Sequence, residues 1–277
     1  MKLSCNGYQL DLNTPVVMGI INCTPDSFYS GGRAHHLDNL LETVEKMIQQ
    51  GAQIIDVGGV STRPGAALVE ESEEIKRVIP VLKLLAESFP DTWFSLDTFR
   101  ARVAGMGVNA GARLINDISA GSLDSDLLPI VASLKVPYVL MHMHGTPQQM
   151  QESPLDKDIV AVVSRFFSRK LEELTSLGID QVILDPGYGF GKTTAANYVL
   201  LKNQTQLRIN GLPLLTGVSR KSMINKVLNT TPDEALNGTT ILNTLALLNG
   251  ASILRVHDVA EAMECIRLTS FFQQTHD

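Results

Sequence analysis

The sequence predicts an α/β protein, a single (β/α)8 TIM barrel with its active site at the C-terminal ends of the strands. Short apolar runs rich in Val, Ile and Leu recur along the 277 residues, and between most of them lie longer segments with helical spacing. Eight runs can be counted, and a chain of this length suits a barrel, typically about 250 residues, better than an open doubly wound sheet. Each run ends on a polar residue, and only in a barrel do all C-terminal strand ends converge on one mouth.

The first run, "VVMGIIN", ends on Asn22 and gives way to "CTPDSFYSGG", a stretch of small polar groups hinged by Pro25, Gly31 and Gly32. The segment "HLDNLLETVEKMIQQG" has helical spacing and closes on Gly51, a residue suited to a left-handed C-terminal cap. Next come "QIIDVGG" with Asp56, the helical "ESEEIKRVIPVLKLLAESF", "WFSLDT" with Asp97, "RLINDI" with Asn116 and "PYVLMHM" with His142. The helical "DIVAVVSRFFSRKLEELTSLG" closes on Gly178, and "QVILDPG", "PLLTGVS" and "SILRVHD" bring Asp185, Ser219, Arg255 and His257. Runs that are apolar without alternation are expected to be buried on both faces, as in a parallel sheet covered by helices. With no low-complexity linker to divide it, the chain reads as one domain over residues 1–277.

Composition narrows the class of partner. The chain is 44% hydrophobic and 19% charged with a formal charge of −6, and it has no Lys/Arg-rich block. That balance disfavours nucleic acid and anionic membranes and favours a small molecule. The N-terminus lacks an apolar core long enough for a signal peptide and no run approaches a membrane span, so a cytoplasmic protein is expected. Cys5, Cys23 and Cys265 are odd in number and far apart, which suits a reducing compartment. Cys23 is read as a small apolar residue.

Several stretches carry chemistry. "LDPGYGFGKT" fails the phosphate-loop pattern, because Pro186 stands where the pattern needs glycine. Its three glycines still let a flat ligand approach the backbone, and Asp185 can accept hydrogen bonds from an amino-amidine edge such as that of a pterin or guanine. "GVSRKSMI" places Lys221 and Ser222 just before a helix expected to begin near Met223, where unpaired N–H groups favour a carboxylate or phosphate. "GGVSTRPGA" offers Thr62 and Arg63, whose guanidinium fork matches two phosphate oxygens. Arg255 and His257 alternate in sequence and share one face of their strand. Together with Arg63 and Asn22 they could hold a diphosphate, with the Asn22 amide oxygen suited to Mg²⁺. His142 and His144 in "MHMHG" lack zinc partners at ligand spacing.

In this order, "MGIINCTPDSF", "DVGGVSTRPGA", "SLDT", "INDI", "MHMHGTPQQMQ", "LDPGYGFGKT", "GVSRKS" and "RVHD" closely resemble the bacterial dihydropteroate synthases, over nearly the whole chain. "TPDSF" with "SRKS" separates that family from the folate-methyltransferase pterin domains that share its barrel. The resemblance implies condensation of 6-hydroxymethyl-7,8-dihydropterin diphosphate with 4-aminobenzoate to give 7,8-dihydropteroate and diphosphate, with Mg²⁺, in a homodimer. By matching motifs, it implies that Asp97, Asn116, Asp185 and Lys221 hold the pterin. Asn22, Thr62, Arg63, Arg255 and His257 would receive the diphosphate, with Asn22 toward the metal. Thr62, Pro64, Phe190 and Ser222 would frame the aminobenzoate. Asn22, Arg63, Asp97 and Lys221 would serve catalysis, in a dissociative mechanism whose C–O bond breaks before the aryl amine attacks.

Three positions depart from the family pattern. Ser30 stands where the family has an aspartate in "SDGG", in a loop that in the family folds over the departing diphosphate. His144 replaces the arginine of "MHMRG", and Val60 a glutamate of "GGEST". The resemblance therefore leaves two expectations to separate, an active synthase and a paralogue that binds pterin diphosphate without turning it over.

Overall fold

An antiparallel hairpin, β1 (Lys2–Cys5) and β2 (Tyr8–Asp11), opens the chain, and the eight apolar runs follow it as eight parallel strands. The computed structural model describes residues 1–23, 33–60 and 69–275, with the side chains of residues 33–36 left aside. The strands are β3 (Val16–Asn22), β4 (Ile54–Gly58), β5 (Trp93–Asp97), β6 (Leu114–Asp117), β7 (Tyr138–Met141), β8 (Val182–Asp185), β9 (Leu215–Thr216) and β10 (Ile253–Val256). They pair in the order β8-β7-β6-β5-β4-β3-β10-β9. The first barrel strand thus meets the last, β3 against β10, with Arg255 opposite Met18.

The remaining seam, between β8 and β9, is held by one parallel bridge, Leu184 to Leu214, and by the Leu184 N–H donating to Pro213 O at 2.9 Å. Pro213 has no N–H to extend the ladder, and β9 is the shortest strand. Helices lie between the strands: Arg33–Gln49, Glu71–Ser88, Ala101–Asn109, Leu127–Leu134, Ile159–Ser176 and Thr194–Lys202, then the pair Ser222–Leu228 and Leu236–Leu248 after β9, and Val259–Gln274 after β10. Gly51 and Gly178 end two of them at φ +109° and +78°, the left-handed conformation expected of their type.

Register decides which side chains face the mouth. A Cβ on Gly19 would meet Met47 and Val259, both on helices, at 3.0 and 3.3 Å. Odd-numbered residues of β3 therefore face the helices, and Met18, Ile20 and Asn22 face inward. Following the pairs around, Asn22 lies beside Gly58, Gly58 beside Asp97 and Asp97 beside Asn116, one layer of the interior. One layer below, Ile20 lies beside Asp56 and Asp56 beside Ser95.

The hairpin closes the opposite end. Asn6 and Gly7 take φ of 48° and 85°, a two-residue turn with both central residues left-handed, which matches the twist of the flanking strands. Ser4 N–H donates to Gln181 Oε1 at 2.6 Å and Gln181 Nε2 donates back to Ser4 O at 2.9 Å. The Arg113 guanidinium lies 3.4 Å from the Tyr8 ring centroid. Gln181 and Arg113 each immediately precede a barrel strand, so Leu3, Cys5 and Leu10 are buried at the N-terminal rim, away from the mouth.

Candidate active site at the barrel mouth

The inward layers bring side chains of four strands, β4, β5, β6 and β10, together. Arg255 Nε donates to Asp56 Oδ2 at 2.7 Å and Arg255 Nη2 to Asp97 Oδ2 at 3.0 Å, while Asn116 Nδ2 donates to Asp56 Oδ2 at 2.9 Å. Asn116 thus commits one amide hydrogen to the floor and keeps Oδ1 as an acceptor for a ligand. Burial, against the pull of Arg255 and with the push of the neighbouring Asp56 charge, raises the Asp97 carboxyl to about 7.

Asp185, Lys221 and Phe190 form the second half of the site. Asp185 Oδ1 accepts the Gly187 N–H at 2.7 Å, which leaves Oδ2 for a ligand. Burial raises its carboxyl pKa, against the opposing charge of Lys221. Lys221 Nζ donates to Tyr188 O at 2.6 Å and sits 4.8 Å from the Phe190 ring centroid. Burial lowers this ammonium to about 8, with Asp185 working the other way. The pair offers an acceptor and a donor at one place, what a fused heterocycle with an amino-pyrimidinone edge requires.

The loop from Gly187 to Lys192 is more tightly held than its glycine content suggests. A Cβ on Gly187, at φ +68°, would come within 2.0 Å of His142 O, and one on Gly191, at φ +67°, within 2.2 Å of His144 O. These two glycines let the loop lie on the chain following β7 rather than admit a ligand. Lys192 does not reach for phosphate. Its Nζ donates to His142 O, Gly187 O and Phe190 O at 3.0, 2.7 and 3.0 Å, and burial lowers its pKa to about 7. Lys192→Met keeps the stem and deletes all three donors. At the lower bound of about 1 kcal/mol for each of the three orphaned buried carbonyls, about 3 kcal/mol is lost, and for a chain of this size a Tm fall of at least about 6–12 °C is expected by scanning calorimetry. An unchanged Tm would show that the lysine does not staple the loop.

The other predicted residues fall into three groups. Asn22 stands exposed at the end of β3, and Ser222 is the exposed first residue of the helix Ser222–Leu228, one residue earlier than expected, with Lys221 at its N-cap. His257 lies beside Ser219 past the ends of β10 and β9. Arg220, at φ +56°, is a bracket for this turn, since its Nε and Nη2 donate to Asp258 Oδ2 and Oδ1 at 2.9 and 2.8 Å. Thr62, Arg63 and Pro64, and Ser30 in the opening loop, lie outside the described residues.

His142 leaves the ring of strand-end polar residues. It follows Met141 on the outward side, its imidazole meets Phe166 edge-on at 4.9 Å, and burial drives its pKa down to about 3, so it is neutral. Cys23 is fully buried and burial raises its thiol to about 12, in keeping with a small apolar residue. Asp56 is the residue whose importance the sequence understated. It is fully buried, sits two residues inside the strand end, and joins Asn116 to Arg255.

The chain matches the model of the pterin binding enzyme family over residues 18–257. It is 45% identical over 270 residues to the dihydropteroate synthase of Escherichia coli (strain K12), covering 97% of this chain and 95% of that protein. Among solved structures, the Yersinia pestis dihydropteroate synthase with a sulfonamide drug complex superposes with a TM-score of 0.93 at 44% identity, covering 99% of this chain and 100% of that one. The Xanthomonas albilineans dihydropteroate synthase in complex with 7,8-dihydropteroate gives 0.88 at 36% identity, with both chains fully covered. A matched family model across most of the barrel, and relatives of this identity end to end, mean that the chain belongs to the dihydropteroate synthase family of pterin-binding enzymes.

Proposed function

We propose that this chain is a cytoplasmic transferase that condenses 6-hydroxymethyl-7,8-dihydropterin diphosphate with 4-aminobenzoate, releasing diphosphate and forming 7,8-dihydropteroate. The observation that carries the reading is the pairing at the mouth of Asp185 Oδ2 and Asn116 Oδ1, acceptors left over from internal bonds, with the Lys221 ammonium. Acceptors suit the N–H groups of the pterin's amino-pyrimidinone edge, and the ammonium suits its ring oxygen or nitrogen. Asp97, facing the ring from the next strand, offsets positive charge as the C–O bond breaks. Asn22, Thr62, Arg63, Arg255 and His257 receive the diphosphate, and Thr62, Pro64, Phe190 and Ser222 frame the aminobenzoate.

Mg²⁺ fits this arrangement. No group of three His, Cys, Asp or Glu gathers among the described residues, whereas the exposed Asn22 amide at the strand end suits an ion that keeps several waters and takes most of its ligands from phosphate oxygens. When bound, Mg²⁺ supplies charge that stabilises the departing diphosphate.

A homodimer is part of the same proposal. Ile241, Leu245 and Leu248 form one exposed stripe on the helix Leu236–Leu248, and Leu268, Phe271 and Phe272, each more than 70% exposed, form another on the adjoining Val259–Gln274. A second copy of this chain would cover both stripes. No helix among the described residues is long and apolar enough to cross a membrane.

Ser30 favours one alternative, a paralogue that binds pterin diphosphate without chemistry. Diphosphate release measured with Mg²⁺, with and without 4-aminobenzoate and with product checked by mass, separates the two. Aminobenzoate-dependent release with dihydropteroate formed supports the synthase, and bound pterin diphosphate without product supports the paralogue.

Lys221→Ala should weaken pterin binding by roughly 10- to 100-fold by calorimetry, the worth of one hydrogen bond from a charged donor, with Tm within a few degrees. The wild-type ammonium loses its proton as pH rises through about 8, so the association constant should bend downward there. In the variant that bend should vanish. Unfolding of Lys221→Ala would show instead that the lysine is structural.

A further inference from the structure

β9 and β10 pair in parallel with Leu215 opposite Ile253 and Thr216 opposite Leu254, and the same offset carried forward places Ser219 opposite His257. Ser219 is 5% exposed. Its Oγ lies 3.0 Å from His257 Nδ1 and accepts the His257 main-chain N–H at 3.3 Å, the two contacts it makes among the described residues. The hydroxyl has one proton and two lone pairs. One lone pair takes the main-chain N–H, and if Nδ1 also donated, the hydroxyl proton would be buried without an acceptor. Donation from Oγ to Nδ1 satisfies the hydroxyl proton and gives Nδ1 its donor.

We propose that Ser219 is a positioning residue that holds the His257 imidazole in the tautomer protonated on Nε2, so that the ring meets the leaving diphosphate as a neutral hydrogen-bond donor. This rests on the synthase reading for the identity of the anion, and on the geometry of the β9 and β10 ends for the tautomer. His257 follows Arg255 on the same side of the chain, so the two present donors to one anion. In the other tautomer Nε2 would turn a lone pair toward phosphate oxygens and repel them.

Nitrogen NMR of protein carrying isotope-labelled histidine, with the His257 signals assigned by their loss in His257→Gln, reads the tautomer directly. The expected result is a pyridine-type Nδ1 and a pyrrole-type Nε2 in the ligand-free protein. A pyrrole-type Nδ1 overturns the proposal. In Ser219→Ala, affinity for 6-hydroxymethyl-7,8-dihydropterin diphosphate should fall about tenfold, while affinity for 6-hydroxymethyl-7,8-dihydropterin without the diphosphate stays at the wild-type level. Ser219→Thr, which keeps the hydroxyl, should restore the loss. Equal loss of both ligands would mean a structural role, and no loss of either would mean that the serine positions nothing. If wild-type protein bound neither ligand, the synthase reading would fail by itself and the NMR result would still decide the tautomer.

Discussion

Asp185→Asn should lower kcat/KM for pterin diphosphate by roughly 10²- to 10⁴-fold while leaving Tm almost unchanged. The side chains are the same size, and the asparagine oxygen can still accept the Gly187 N–H that Asp185 Oδ1 holds at 2.7 Å. What changes is the second position, where an acceptor oxygen becomes an NH₂ donor facing the donor edge of the pterin. Losing the charged hydrogen bond at Oδ2 costs about 1.5–3 kcal/mol, and a donor facing a donor in its place costs a similar amount again. Steady-state kinetics within threefold of wild type would mean that Asp185 does not read the pterin.

The second large effect is on stability. Arg255→Met should lower Tm by about 6–20 °C in the ligand-free protein. The guanidinium is the counter-charge of Asp56, which is fully buried, and of Asp97. Among the described residues Asp56 Oδ1 already has no partner, so loss of Arg255 leaves a buried carboxylate with the Asn116 amide at 2.9 Å as its remaining donor. Removing one partner of a buried pair costs about 3–5 kcal/mol, and each kcal/mol moves Tm by about 2–4 °C in a chain of this size. Adding Asp56→Asn to Arg255→Met should return part of the loss, because the unpaired charge is gone. A double variant no more stable than Arg255→Met would place the damage elsewhere.

These predictions rest on parts of the molecule that were unequally visible in the sequence. The eight apolar runs were legible because a strand buried on both faces reads as an unbroken block of Val, Ile and Leu, and Gly51 and Gly178 were legible because helix ends need a left-handed residue. Asp97 and Asp185 end their strands and Asn116 stands one residue before the end of β6, where a barrel gathers its chemistry, and the structure brings them to one mouth. His142 was misread because a residue just past a strand can fall on either side, and one position of parity sends it to the helix layer against Phe166. Asp56 was understated because its importance comes from Arg255, 199 residues away, which no local pattern reports.

The hairpin at the N-terminus had a signal in the Asn6-Gly7 turn flanked by Leu3, Cys5, Tyr8 and Leu10, and it lay outside the βα rhythm that organised the rest. The loop after β8 looked open to a ligand because it is rich in glycine. Only the close approach of His142 O and His144 O, and the three carbonyls around Lys192, show that its glycines and lysine build the loop itself.

If the acceptors left over at the mouth read a pterin, a crystal structure of the protein with 6-hydroxymethyl-7,8-dihydropterin diphosphate bound will show it. The amino-pyrimidinone edge is expected about 3 Å from the Asp185 carboxylate and Asn116 Oδ1, with the diphosphate toward Asn22 and His257. A pterin ring bound away from Asp185, or reversed so that the diphosphate meets the carboxylates, would contradict it.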